Sequence, residues 1–213
     1  MKLFGYYSDV PEHNQVDELR LTVLWRQRWE AAAWDPFILG ERDAQQHSLY
    51  KQLHEAVSRR PSVNPRAYEV ACHERWLALA MAGGGFMADF DVIPFPGEFG
   101  ISIPEMTGAD MAKLHIYQER GACPSFTFAM PDTCEQLAQV FIEGKIGRRD
   151  QGGRPHFSDQ YTLEDLLIAK VDWVVSHDLV RCYGQEGWKS ASLVHFANAY
   201  CKPSRWQNIP KLR

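Results

Sequence analysis

Two aspartates separated by a single residue, Asp89 and Asp91, close an otherwise apolar run in the stretch AMAGGGFMADFDVIPF, residues 80–95. Read as a strand, the run puts side chains i and i+2 on the same face, so the two carboxylates lie side by side, roughly 6–7 Å apart at the backbone, while Phe90 points into the packing. Two carboxylates held that close repel, and one is driven to take up a proton unless positive charge meets them. A divalent cation supplies that charge, and oxygen ligands suit magnesium or manganese, ions that commonly stay coordinated to substrate phosphates as well. The bland alternative is that one aspartate caps a helix and the other pairs with an arginine. A bare D-x-D pattern by itself favours that alternative.

Further candidates lie along the chain. His195 ends an apolar segment in SLVHFANAYCKP, with Lys202 a few residues on. As a lone residue, that histidine is more often a hydrogen-bonded core side chain than a ligand. Asp159 and Gln160 sit in HFSDQYTLEDL, just before a helical pattern, where Ser158 or Asp159 can equally serve as the helix cap. Arg75 precedes the three glycines on a helical segment. Arg148, Arg149 and Arg154 surround the glycine-rich stretch from Gly147 to Gly153, which reads as a loop able to close over a ligand or simply as a solvated one.

The run ERWLALAMAGGGFMADFDVIP, Glu74 to Pro94, resembles the helix, glycines and D-x-D strand of GT-A-fold glycosyltransferases, particularly the sugar-binding-region families that include initiating mannosyltransferases and capsular polysaccharide transferases. LVHFANAYCKP resembles the HFxGxxKP element of retaining, glycogenin-like enzymes. The resemblance implies that Asp89, Asp91 and His195 bind Mn2+ or Mg2+, with Asp91 central to catalysis. It further implies that Lys202 and Arg75 assist the diphosphate of a nucleotide sugar, that Asp159 with Gln160 lines the acceptor pocket, and that Phe4, Gly5 and Tyr6 lie near the base and ribose. For Phe4 the alternative is ordinary strand core. There are departures: a third glycine lengthens the spacing from Arg75 to the aspartates by one residue, Asn198 stands where glycine is usual, and Lys202 arrives one residue late. The activity implied is transfer of a sugar from a UDP- or GDP-sugar to a glycan or glycoprotein hydroxyl. The histidine and lysine element implies retention; an inverting enzyme would instead need a carboxylate base, for which Asp159 is the candidate. Two rivals remain: a magnesium-dependent phosphohydrolase of the haloacid-dehalogenase type, which also uses D-x-D but opens its chain with it, and a sugar-nucleotide-binding module without turnover.

Periodicity and punctuation divide the chain into the strands and helices that carry these residues. KLFGYYSD reads as a strand, and Val16, Leu19, Val23 and Trp29 mark one face of a helix running to about Trp34. PFILG is a buried-strand candidate, and residues 43–60 return to a helical pattern. Asn64 and Pro65 then announce a helix through Ala82, with Asn64 as cap and Pro65 in the first turn. FMADFDVIPF is one strand and SFTFAM another. A helix opens near Thr133 with Gln136 as a capping-box partner, and TLEDLLIAK, LVRCY and SLVHFA add a helix and two strands. Strands alternating with helices predict an α/β chain: one GT-A (Rossmann-like) domain over 1–213, with a mainly parallel central sheet flanked by helices.

Bulk properties limit the field. With 213 residues, 45% of them apolar, the chain can bury one sizeable core. A formal charge of −4 argues against nucleic acid as a partner. No apolar run approaches the ~18 residues a membrane span needs, and the polar N-terminal stretch does not read as a secretory signal, so a soluble, cytoplasmic protein or one domain of a longer polypeptide is expected. Five widely spaced cysteines without a C-x-x-C pair fit reduced thiols, and seven tryptophans offer either core or flat surface for sugars and bases.

Overall fold

The structure is a computed structural model and describes residues 1–11, 15–94, 108–118, 122–184, 186 and 188–197. In chain order the elements are β1 (Lys2–Tyr7), α1 (Gln15–Ala31), β2 (Asp35–Gly40), α2 (Glu41–Ala44), α3 (Tyr50–Ser58), α4 (Arg66–Met81), β3 (Gly85–Ala88), β4 (Val92–Pro94), α5 (Gly108–Met111), β5 (Leu114–Gln118), β6 (Phe126–Ala129), α6 (Pro131–Glu143), β7 (Arg148–Gln151), β8 (Arg154–Phe157), α7 (Asp159–Ile168), β9 (Val174–Cys182) and β10 (Leu193–His195). The α/β class is as expected. The sheet is not the mainly parallel one predicted: its order is β2-β1-β3-β6-β5-β9-β10-β4, with β6 antiparallel to both β3 and β5, and β4 antiparallel to β10. The eight strands curl strongly into a half-barrel, and β7 and β8 form a separate hairpin. Among the described residues no helix is long and apolar enough to cross a membrane.

Two apolar layers cover the sheet. One joins Leu53 of α3, Trp76 and Leu77 of α4, Leu137 and Phe141 of α6 and Leu163 of α7. The other is aromatic: Trp25 and Trp29 of α1 meet Trp34, Phe86, Phe90 and Phe126. Trp29 lies parallel to Phe126 at 5.6 Å between centroids, and Trp34 meets Phe86 edge-on at 5.3 Å. Trp25, Trp29, Trp34 and Trp76 are therefore core residues rather than a surface for sugars.

Several local expectations change. On α1 the inward row is Leu21, Trp25 and Trp29, whereas Val16, Leu19 and Val23 are each more than half exposed. The row at four-residue spacing carries the two large indoles and so removes more apolar surface from water than the aliphatic row would. Residues 43–60 split into α2 and α3. Pro65 is itself the cap of α4, and the Asn64 amide donates to Glu69 Oε1 at 2.5 Å. α6 opens at Pro131, with no side-chain cap bond. The stretch read as a glycine-rich loop is mostly the β7–β8 hairpin: Gly152 and Gly153, at φ +58° and +78°, form its two-residue turn, where positive φ at both positions suits the strand twist. β2 is half buried, with Phe37 and Ile38 each partly exposed.

Candidate metal centre

The segment expected as one strand is broken into β3 and β4, and the break is the D-x-D itself. Asp89, Phe90 and Asp91 make a tight turn closed by the Val92 N–H donating to the Asp89 carbonyl at 2.9 Å. The chain breaks there because its two halves serve different partners: β3 pairs with β1 and β6, while β4 pairs with β10. Asp89 N–H donates to Ser125 O, and Phe196 N–H donates to Asp91 O, each at 2.8 Å. Trp29 Nε1 donates to Val92 O at 3.0 Å. Phe90 lies over Gly5, where an added Cβ would come within 2.6 Å of the ring, and meets Trp25 edge-on at 5.2 Å. Gly5 thus gives the turn its seat.

The antiparallel pairing of β10 with β4 sets His195 opposite Val92, next to Asp91. His195 Nε2 stands 3.5 Å from Asp91 Oδ1, with both side chains buried. Ligand atoms of Asp89, Asp91 and His195 all lie within 4.8 Å of one another, so the three form a group that can hold a metal ion. Its donors, two carboxylates and an imidazole, fit a six-coordinate divalent cation such as manganese, with positions left for other oxygens. Burial works to lower the His195 imidazole, but the adjacent Asp91 carboxylate outweighs it and holds the ring well above its usual range. For Asp89, burial and the neighbouring Asp91 oppose Arg75, and the carboxyl is pushed up to about 6.

Arg75 comes to this group from α4. Its Nη1 donates to Asp89 Oδ1 at 2.7 Å and its Nη2 to Asp159 Oδ2 at 2.5 Å, while its Nε is buried without a hydrogen-bond partner among the described residues. Asp159 is the buried first residue of α7, and Ser158 caps that helix by accepting from Tyr161 N–H. Among these groups one guanidinium and one imidazole face three carboxylates, so the site has electrostatic room for a cation.

A pocket of about 300 Å³ opens on the centre, lined among others by Tyr6, Tyr7, Glu18, Tyr68, Cys72, Arg75, Asp89, Phe90, Asp91, Cys123 and His195. Burial pushes the Cys123 thiol up to about 12 and the Cys72 thiol well above its usual value, keeping both neutral. Of the three β1 residues expected near a nucleotide, Tyr6 lines the pocket; Phe4 packs into the core and Gly5 is covered by Phe90. Asp159 and Gln160 are not among the lining residues, and Asp159 is engaged by Arg75 and by the Gln160 N–H at 2.7 Å. Lys202 lies outside the described residues. Sequence reading missed Tyr68 and Cys72, although Tyr68, Ala71, Cys72 and Arg75 fall at i, i+3, i+4 and i+7, one face of α4.

A second polar cluster lies further along α4, toward its N-terminus. Glu69 accepts from Asn64, and His156 Nε2 lies 3.8 Å from the same oxygen. The other Glu69 oxygen is buried without a partner among the described residues, and burial raises this carboxyl to about 7.

The profile of a domain of unknown function, DUF8765, matches residues 2–99, the part of the chain that carries β1 to β4, Arg75 and both aspartates of the turn. No curated protein matches the chain significantly.

Proposed function

We propose that the protein is a metal-dependent glycosyltransferase that moves a sugar from a UDP- or GDP-sugar to a hydroxyl of a glycan or glycoprotein, with retention of configuration. The observation that carries this reading is the meeting of Asp89, Asp91 and His195 at one pocket, from a turn and a strand far apart in sequence. Breaking the bond between anomeric carbon and phosphate oxygen leaves growing negative charge on the diphosphate and positive charge on the sugar ring. A divalent cation held by the three side chains, manganese or magnesium, would supply Lewis-acid neutralisation of that diphosphate.

The chain's own groups do the rest. Asp91 and His195 brace one another, so the ligand set is arranged before substrate arrives. Arg75 holds one oxygen of Asp89, and its side chain lines the pocket beside the group. Lys202, by resemblance, meets the diphosphate. The acceptor proton has no obvious destination on Asp159, which is held by Arg75. This supports retention, in which the acceptor hydroxyl attacks the anomeric carbon as the phosphate leaves, and the proton passes to the departing phosphate oxygen. The bond from Arg75 to Asp89 also disfavours the phosphohydrolase reading, since that chemistry needs the first aspartate as an unencumbered nucleophile.

Thermal-shift measurements with uridine and guanosine diphosphate, with and without Mn2+, test the reading. Stabilisation is expected in the wild type only when the metal is present, and in Asp91→Ala not at all. Equal stabilisation of the variant would remove the metal bridge from the account. Hydrolysis of UDP-glucose or GDP-mannose, assayed beside binding, separates an enzyme from a module that only binds.

A further inference from the structure

A metal-binding histidine works only if its ring is held with one nitrogen toward the ion, and the partner of the other nitrogen sets that orientation. For His195 the Nε2 side is taken by Asp91. In the parallel pairing of β10 with β9, His195 stands directly beside Cys182, so the two side chains leave the same face of neighbouring strands. Both are buried, and the Cys182 side chain lies within hydrogen-bonding reach of the imidazole. The backbone is held on both sides of this contact: Tyr183 N–H donates to His195 O at 2.9 Å, and the Tyr183 ring stacks on Phe196 at 4.9 Å.

We propose that Cys182 is the positioning residue of the metal centre, its sulfur accepting the hydrogen bond of the His195 nitrogen that faces away from Asp91 and so presenting Nε2 to the ion. The inference rests on the metal-centre reading above. Sulfur here takes the place of the carboxylate or backbone carbonyl that more often orients such a ring. A sulfur acceptor is softer and longer-reaching than oxygen, and the separation between directly paired strands accommodates it without moving either backbone. Cys182 itself is not one of the grouped ligands, so its effect on the ion runs through His195.

Titration of the nucleotide-free protein with Mn2+, followed by the loss of the free-ion signal in electron paramagnetic resonance, tests this without an activity assay. Wild type, Asp91→Ala, Cys182→Ala, Cys182→Val and Cys182→Ser are compared. Cys182→Ala and Cys182→Val are expected to weaken Mn2+ binding about 10- to 100-fold, the range seen when a ligand's orienting partner is lost, while Cys182→Ser, which keeps an acceptor, restores most of it. Apolar filling by valine separates lost orientation from a simple packing defect, and circular dichroism confirms that each variant is folded. If wild type binds Mn2+, Asp91→Ala does not, and Cys182→Ala and Cys182→Val match wild type, the role of Cys182 is overturned while the metal centre stands. If wild type and Asp91→Ala behave alike, the metal centre itself is overturned, and this inference falls with it.

Discussion

Two arginines in this protein each serve a pair of carboxylates, and they do so in opposite ways. Arg149 of β7 grips Asp165 of α7 with both arms, Nη2 to Oδ1 at 2.7 Å and Nη1 to Oδ2 at 3.3 Å, with Glu164 at 3.6 Å. It lies over the Tyr161 ring and is a third exposed. Arg75 is buried and divides its arms between Asp89 of the turn and Asp159 of α7. The first arrangement is closed: a fork matched to one carboxylate in a wet layer, tying a hairpin to a helix. The second is open: three elements meet at one guanidinium, its Nε has no partner among the described residues, and the side chain lines the pocket. Burial turns the same chemistry from a surface clasp into the support of a candidate site.

The largest effect follows from removing the buried guanidinium. Arg75→Ala leaves Asp89 and Asp159 without their counter-charge and is expected to cost about 3–5 kcal/mol of stability in urea denaturation. Arg75→Lys sharpens the comparison, because an ammonium cannot span two carboxylates as the planar fork does. It should recover part of the stability but little of the metal-dependent thermal shift. If Arg75→Ala proves as mild as a surface substitution, the contrast between the two arginines is wrong.

Glu69 supplies the intermediate case, a buried acid without an arginine of its own. Burial raises its folded-state value from 4.5 to about 7, so the folded protein keeps a proton that the unfolded chain releases. The stability it contributes is therefore full below about pH 4.5 and is lost as pH rises through about 7. Glu69→Gln should flatten this part of the stability profile and gain on the order of 1–3 kcal/mol at pH 8, where the wild type must hold a buried charge. A variant whose stability falls with pH as steeply as the wild type's would mean that the Asn64 and His156 contacts already satisfy the ionised carboxyl.

What the sequence made legible was mostly local. β1, α4 and the strand at 126–129 could be read from periodicity and from the proline and glycines that flank α4. Asp89, Asp91 and His195 could be picked by chemical type, and the structure brings them together. The misses share one physical origin, the choice of partner. Whether FMADFDVIP runs on as one strand or breaks at Asp89 depends on β10, contributed about a hundred residues later, competing for its second half. The reversal of β6 is likewise set by its neighbours β3 and β5. β5 itself went unread, since LHIYQ carries a histidine and a glutamine and is too short for alternation to show. On α1 an aliphatic row and an indole row both had helical spacing, and the depth of the aromatic layer decided between them. Asp159 had the features of a base or a cap; the 2.5 Å bond to Arg75 that redefines it joins residues no local pattern connects.

Arg149→Ala removes a good bidentate contact, but Asp165 retains the Gly147 N–H at 2.7 Å and stays open to water, so neither partner is stranded. The Arg149 guanidinium holds the Asp165 carboxyl below its ordinary value, and that help matters less as salt screens it. A loss of under about 1 kcal/mol is expected in low salt, shrinking further in high salt, with the metal-dependent thermal shift unchanged. A large loss, or one indifferent to salt, would mean that the hairpin docks on α7 chiefly through this arginine, and that exposure alone does not divide the two sites.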